Sequence, residues 1–421
     1  MNVFYLLNFY TNDINDQNLL SIFAKWKKDY ILLWHQIGGS ILLTIICILI
    51  SVAFFTLLER KVLGVVQNRR GPSKVGQAGI LQPIADGAKL FFKEAVLPRS
   101  SIQLIFVLAP IISFVLGFLS WCFLPIGGRL AILDSSYSLL LIFIVAILHV
   151  YSIILAGWSS NSKYSFLGSL RSCAQLIAYD IAIGFVILTI ILNTKSLSVS
   201  SILDLQAETG YLFFQYPLLF LIFFICALAE TNRHPFDLPE AEAELVSGYN
   251  VEYSSIGFAC FFLAEYASIL FMVYLVIILF FGGLGWEYNA AVLPIGFYNF
   301  FDYIPCGDII KKLFKVMAYY FGEYPSKKFD EKFILPLSEW LPSGKVKDFI
   351  FVDFRSFHYN YSWKQIFFDF LLKPTIFIYI FILLRGLLPR YRYDHLMSIG
   401  WKILLPLSFV LFMFYSFVFY I

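Results

Sequence analysis

Eight apolar runs limit what this chain can fold into, because each is long enough, or nearly so, to cross a bilayer. They lie near 36–58, 103–124, 138–158, 176–193, 211–229, 255–283, 366–384 and 401–420. About 20 residues rising 1.5 Å each cover the ~30 Å of hydrocarbon. Inside lipid the backbone polar groups must pair within the segment, and a helix does that. The expectation is an all-α polytopic membrane protein with eight core transmembrane helices. Composition agrees: 60% of the residues are hydrophobic and 14% are charged, against about 25% charged for a soluble domain.

Lys and Arg in the short loops set orientation. Loop 59–101 carries eight basic residues against Glu59, Asp86 and Glu94. Loop 159–175 adds Lys163 and Arg171, and loop 385–402 adds Arg385, Arg390, Arg392 and Lys402. Loops 125–137 and 194–210 have one basic residue each. With eight crossings the basic loops share one side with the acidic segment 230–254, and both termini lie on the other. The domain reading is then an N-terminal extension 1–35, helices one to six with two functional loops over 36–284, an insert 285–365, and helices seven and eight over 366–421. The insert faces away from the basic loops, and its stretch 309–320 has apolar residues at helical spacing. In loop 59–101, Pro83 suits a first helical turn. Ile80, Ile84, Ala88, Phe91 and Ala95 follow on one face, opposite Asp86, Lys89 and Lys93. This predicts a short amphipathic helix at the membrane interface.

The chemistry gathers at carboxylates. Segment 230–255 holds Glu230, Asp237, Glu240, Glu242, Glu244 and Glu252, and Glu265 follows inside the sixth run. Asp180 sits about one turn into the short fourth run. A charge near the bilayer centre costs at least ~2.5–3.5 kcal/mol, so such acids need a proton, a cation or water. A buried carboxylic acid can hold and pass a proton near neutral pH. Pro235 and Pro239 interrupt any helix here, and Glu240 and Glu244 would repel on one helical face. Arg233 and His234 are the nearest cations. A structural role alone is the competing reading for each acid, and the better one for Asp237 and Glu252. Glu59-Arg60-Lys61 reads as a membrane-edge anchor, and Arg69-Arg70-Gly71-Pro72 as a basic turn suited to anionic lipid, a partner or a substrate. The six cysteines and five histidines are scattered, with no metal spacing, and no phosphate-binding glycine motif is present. No metal, haem, iron–sulfur cluster or nucleotide is expected on this chain.

Five stretches together carry a resemblance: LLERKVLGVVQNRRGPSKVGQAGILQPIADGAKLFFKE (57–94), GWSSNSKYSFLGSLRSCAQLIAYD (157–180), LAETNRHPFDLPEAEAELVSGYNVEYSS (228–255), FFLAEY (261–266) and LPRYRYDHLMSIGWKILLPL (388–407). The chain resembles the family of quinone-site membrane subunits of respiratory complex I, NADH:ubiquinone oxidoreductase, in its mitochondrially encoded form. The resemblance implies eight core helices, no redox centre, and no bond-making residue on this chain. It implies a quinone side at Arg60, Arg69, Asp86, Arg233 and Phe236, and a proton path through Asp180, Glu230, Glu240, Glu242, Glu244 and Glu265. Ubiquinone is then the substrate, with NADH, FMN and the iron–sulfur clusters held by partner subunits. The implied partners are two peripheral-arm subunits at the quinone site, the adjacent antiporter-like subunits, and membrane lipids, cardiolipin among them; nucleic acid is not. The implied location is the mitochondrial inner membrane, with basic loops in the matrix and the termini and insert towards the intermembrane space. Three features depart from the family pattern. Asp180 stands where Glu usually follows Tyr, the insert 285–365 replaces a short loop, and about thirty N-terminal residues are extra. The alternatives are a stand-alone proton-coupled secondary transporter and an assembly scaffold; no pair of similar halves supports the first.

Overall fold

The computed structural model describes residues 16–125, 131–133, 135–237, 248–283 and 372–420. Every regular element among them is helical. Six helices are long and apolar enough to cross a membrane: Gly38–Val66, Gln103–Phe123, Ser138–Ser159, Lys163–Thr194, Ser255–Phe280 and Tyr393–Val418. The predicted insert 285–365 and the acids Glu240, Glu242 and Glu244 lie outside the described residues. The chain divides into two units, Met1–Ser51 and Val52–Ile421. In the first, the described residues form a single helix from Asp16 onward.

We number the helices α1 (Asp16–Val66), α2 (Gln82–Phe92), α3 (Gln103–Leu119), α4 (Ser138–Ser159), α5 (Lys163–Thr194), α6 (Val199–Thr209), α7 (Pro217–Glu230), α8 (Ser255–Phe280), α9 (Lys373–Leu387), α10 (Tyr393–Ser398) and α11 (Leu405–Tyr420). A π-helical stretch, Ile399–Leu404, joins α10 to α11.

Two expected boundaries are corrected. Glu59 does not end a helix, because α1 runs on through Val66. Asp180 is not one turn into a short run: α5 starts at Lys163 and has 32 residues, so Asp180 lies near its middle. The helix starts early because Ser162 caps it, its hydroxyl accepting from the Ser165 amide at 3.4 Å. The small polar residues Ser165, Gly168, Ser169 and Ser172 are buried helix surface, not loop. Polar does not mean exposed here, since each of those three hydroxyls is bonded to a nearby carbonyl.

The core forms around α5 and α8. Helix α5 packs on α4, α7 and α11, while α8 packs on α3 and α9. Of the most apolar stretch of α8, 72% is buried, against 22% for Tyr393–Val418, so the latter leaves most of its surface uncovered by this chain. Close approach of backbones sets one joint. Gly168 on α5 meets the turn Gly248–Asn250, where a Cβ would stand 2.9 Å from the Gly248 backbone. Ser165 reinforces the joint by donating to the Tyr249 carbonyl at 3.1 Å. Below it, Phe106 and Tyr253 stack with centroids 4.0 Å apart.

The amphipathic helix predicted in the first loop is α2, with Pro83 in its first turn. None of its residues is buried, and Ile84 and Phe91 are strongly exposed. The helix and its exposed apolar face are as expected from the sequence.

Candidate functional site

Three charged centres adjoin the turn after α7. Glu230 ends α7, and the next seven residues run as turns to Asp237. Gln175 of α5 fixes this turn: its amide donates to the Ala229 and Phe236 carbonyls, each at 2.9 Å. Phe236 is buried, tilted against Tyr179 and stacked on Tyr391 at 5.7 Å each. The Tyr391 amide donates to the Pro235 carbonyl at 3.1 Å. Two loops distant in sequence are thereby zipped together.

The first centre is a pair of acids. Asp180 from the middle of α5 and Glu230 from the end of α7 act on each other as neighbouring carboxyls. Two acids so placed avoid mutual repulsion when one carries a proton. Oε2 of Glu230 is buried and meets no hydrogen-bond partner among the described residues. This pair can store a proton and release it as its surroundings change.

The second centre is cationic. Glu59 of α1 is buried, and both Arg233 and Arg385 donate to its Oε1. The Tyr266 hydroxyl of α8 donates to its Oε2 at 2.9 Å. The Arg233 guanidinium lies over the Tyr266 ring, 4.7 Å from its centroid. Burial works against the charge of Arg233, but Tyr266, Glu59 and Glu265 outweigh it and raise its affinity for the proton. Glu265 therefore acts on this centre.

The third centre joins the turn after α7 to the segment before α10. The Arg390 Nε donates to Nε2 of His234 at 2.8 Å and its terminal nitrogen reaches Oδ2 of Asp237 at 3.3 Å. The same Nε2 lies 3.4 Å from Oδ2 of Asp237, a contact that would need a protonated ring. Accepting from Arg390 fixes Nε2 as unprotonated, so His234 is neutral with its proton on Nδ1. Burial lowers the His234 pKa; Asp237 opposes this, while Arg390, Arg385 and Arg233 add to it.

Beside these lies an open cleft of about 620 Å³, lined by Arg60, Arg69, Arg70, Ser73, Lys74 and Gln82. Arg60 pairs with Asp86 at 2.7 Å, and Gln82 donates to the same carboxylate at 3.0 Å. Arg69 bonds the Gln67 side-chain carbonyl at 2.7 Å. The cleft's bend needs glycine: Gly79 has φ of 77°, and a Cβ there would run into the Pro72 carbonyl.

Of the predicted quinone-side residues, Arg60, Arg69 and Asp86 come together at this cleft. Arg233 and Phe236 do not line it; they belong to the buried turn. Of the predicted path, Asp180 meets Glu230, and Glu265 acts on Arg233. Asp237, for which a structural role was the better reading, pairs with Arg390 and His234 in the third centre. Sequence reasoning missed Glu59, Tyr266, Arg385 and Arg390. The Glu59 signal was present, an acid directly after an apolar run, but its partners lie 174, 207 and 326 residues away. No group of three or more metal-ligating side chains occurs among the described residues.

Comparison with known proteins gives one consistent result. A family model described as NADH dehydrogenase matches residues 39–416. The chain is 40% identical over 369 residues to NADH-ubiquinone oxidoreductase chain 1 of Chondrus crispus, covering 88% of this chain and 92% of that one. It is 39% identical to the protein of the same name from Triticum aestivum, covering 89% and 94%. It is also 39% identical to the corresponding bacterial NADH-quinone oxidoreductase chain of Paramagnetospirillum magneticum, covering 88% of each.

Proposed function

The chain belongs to the NADH dehydrogenase family as a core membrane subunit of NADH–quinone oxidoreductase, and from that premise we propose that it walls part of the ubiquinone chamber and couples quinone reduction to proton translocation. Family membership sets aside the stand-alone transporter. The observation that carries the proposal is the adjacency of Glu59 and Arg60 on α1. One faces the buried arginine centre and the other the open cleft, so a charge change at the cleft is felt one residue away among buried acids.

The quinone side comprises Arg60, Arg69 and Asp86 at the cleft, with Arg233 and Phe236 on the turn behind it. The chain does no bond-making. Electrons reach ubiquinone from a neighbouring subunit, and this chain's acids answer the change in proton demand. The path runs through Glu240, Glu242 and Glu244, then the Asp180–Glu230 pair, with Glu265 beside the arginine centre. NADH, FMN and the iron–sulfur clusters reside in partner subunits. Those partners include two peripheral-arm subunits at the chamber and the antiporter-like membrane subunits, with cardiolipin among the surrounding lipids.

The proposed topology adds the crossings of α7 and α9 to the six long helices, giving eight. It places the protein in the mitochondrial inner membrane. The basic loops face the matrix, and the termini and insert 285–365 face the intermembrane space.

Photo-crosslinking the assembled complex with a quinone analogue tests the chamber. Label is expected on segment 60–86 and on 233–236, competed by ubiquinone. Label confined to other subunits would sink the proposal.

A further inference from the structure

Gln175 takes no part in the roles just set out, and it is fully buried. Its side-chain amide reaches from α5 to both ends of the turn that follows α7. It donates to the Ala229 carbonyl and to the Phe236 carbonyl, at 2.9 Å each. A carbonyl only accepts, so Nε2 must face the pair and the amide cannot be turned over. The turn does not brace itself in this way. Pro235 has no N–H to give, and Asn232 leaves α7 through a left-handed φ of 48°. Backbone bonds tighten each half, from Asn232 to Ala229 at 3.2 Å and from Phe236 to Arg233 at 2.7 Å. Gln175 joins the two halves.

The two ends of the turn give this brace a consequence. Ala229 precedes Glu230 of the proposed path, and Phe236 belongs to the proposed quinone side. One amide therefore ties the backbone of a chamber wall to the backbone beside an acid. A buried amide that only capped α7 would bond Ala229 and stop there. The second bond, to a residue 61 positions away, goes past the helix end to the quinone side. Helix α5 adds to the hold from its next turn, where Tyr179 tilts against the Phe236 ring at 5.7 Å. Without the Gln175 amide, two buried carbonyls would each lose a donor, and the turn would shift to satisfy them.

We infer that Gln175 is a positioning residue that locks Phe236 and Glu230 into one rigid turn, so that the quinone wall and the proton path keep a fixed separation. The inference rests on the proposed roles of Phe236 and Glu230. Loosening the turn has two readouts: quinone affinity through Phe236, and turnover through Glu230.

The test uses membranes holding the assembled complex. It compares Gln175→Leu, which fills similar space without donors, and Gln175→Asn, whose amide falls one methylene short. The quinone KM and kcat are measured per assembled complex. Gln175→Leu is expected to raise KM about threefold or more and to lower kcat about fivefold or more, with Gln175→Asn changed in the same two ways but less. Each effect should vanish where its target is already altered. A Phe236→Ala background should abolish the KM shift and a Glu230→Gln background the kcat loss, because changes acting through one residue do not add. The inference is overturned if either effect persists in its background, or if either constant stays normal in the complex that forms. Complete loss of complex in both Gln175 variants overturns it too, since Gln175 would then serve folding alone. If Phe236→Ala and Glu230→Gln by themselves leave KM and kcat normal, the proposed roles of the turn fall first. That result is distinct from normal Gln175 variants beside impaired Phe236→Ala and Glu230→Gln.

Discussion

Two buried carboxylate centres lie on either side of the turn after α7, and they are opposites. At Glu59 one acid is surrounded by two guanidiniums and a phenol. At Asp180 and Glu230 two acids adjoin, and a proton on one of them would relieve their repulsion. The first has more positive charge than it needs, and the second more negative. A cation-paired acid is held ionised and fixes geometry, whereas an acid paired with an acid must hold a proton and can exchange it. The difference separates a clamp from a relay, and both are tied to the same short turn.

Stability should break the symmetry most sharply. Glu59→Leu strands the buried Arg233 beside a partly exposed Arg385, and the broken Arg233 pair costs about 3–5 kcal/mol. The expected outcome is loss of most assembled complex on a native gel. Asp180→Asn or Glu230→Gln removes repulsion instead, so assembly should survive at normal levels. Turnover coupled to pumping should nonetheless fall about tenfold or more, because an amide cannot pass the proton. If the Asp180 and Glu230 variants lost assembly while Glu59→Leu kept it, clamp and relay would have been assigned to the wrong centres.

Much of this was legible in the sequence, for a physical reason. Apolar runs and membrane-span length are local properties, so helices such as Ser138–Ser159 fell almost where periodicity put them. The amphipathic α2 was legible because Pro83 and a repeating apolar face lie within fifteen residues. The acids Asp180, Glu230 and Glu265 were conspicuous because charge in lipid is costly. What could not be read was pairing. Glu59 resembled a membrane-edge anchor because its arginines arrive from 174 and 326 residues away. Asp180 reads as close to a helix end because the serines and the glycine of 163–172 look like a loop in sequence. Packing against the Gly248–Asn250 turn and against Gly157 of α4 makes them buried helix.

The third centre sharpens the comparison through pH. His234 is neutral, accepts from Arg390, and has its pKa lowered from 6.5 by burial, with Arg390, Arg385 and Arg233 adding to the effect against Asp237. A base with a lowered folded pKa binds fewer protons folded than unfolded. Its latch is therefore fully stable above about 6.5 and loses stability as pH falls below that value. Protonation would turn Nε2 from acceptor to donor, towards Asp237 and against Arg390. We expect an acid limb in turnover below pH about 6.5 that His234→Asn weakens severalfold, since Asn still offers Arg390 an acceptor but does not titrate in this range. An unchanged acid limb in that variant would place the titrating group elsewhere.

The smallest expected effect on stability belongs to Arg60 and Asp86 at the cleft. Their side chains are 49% and 40% exposed, so the 2.7 Å pair is screened by water. It is worth about 0.2–1 kcal/mol, within the range of exposed ion pairs. Asp86→Asn should leave assembly and thermal stability almost unchanged, in contrast with Glu59→Leu only one residue along α1 from Arg60. What it should alter is the field at the cleft, where Arg60, Arg69, Arg70 and Lys74 would lose their nearby acid. A quinone headgroup that gains negative charge on reduction would be held more tightly there. The expected signature is a shift of about two- to fivefold in the quinone KM that shrinks as salt is raised. Full activity with an unshifted, salt-independent KM would separate the cleft from the quinone and leave Arg233 and Phe236 as the chamber wall.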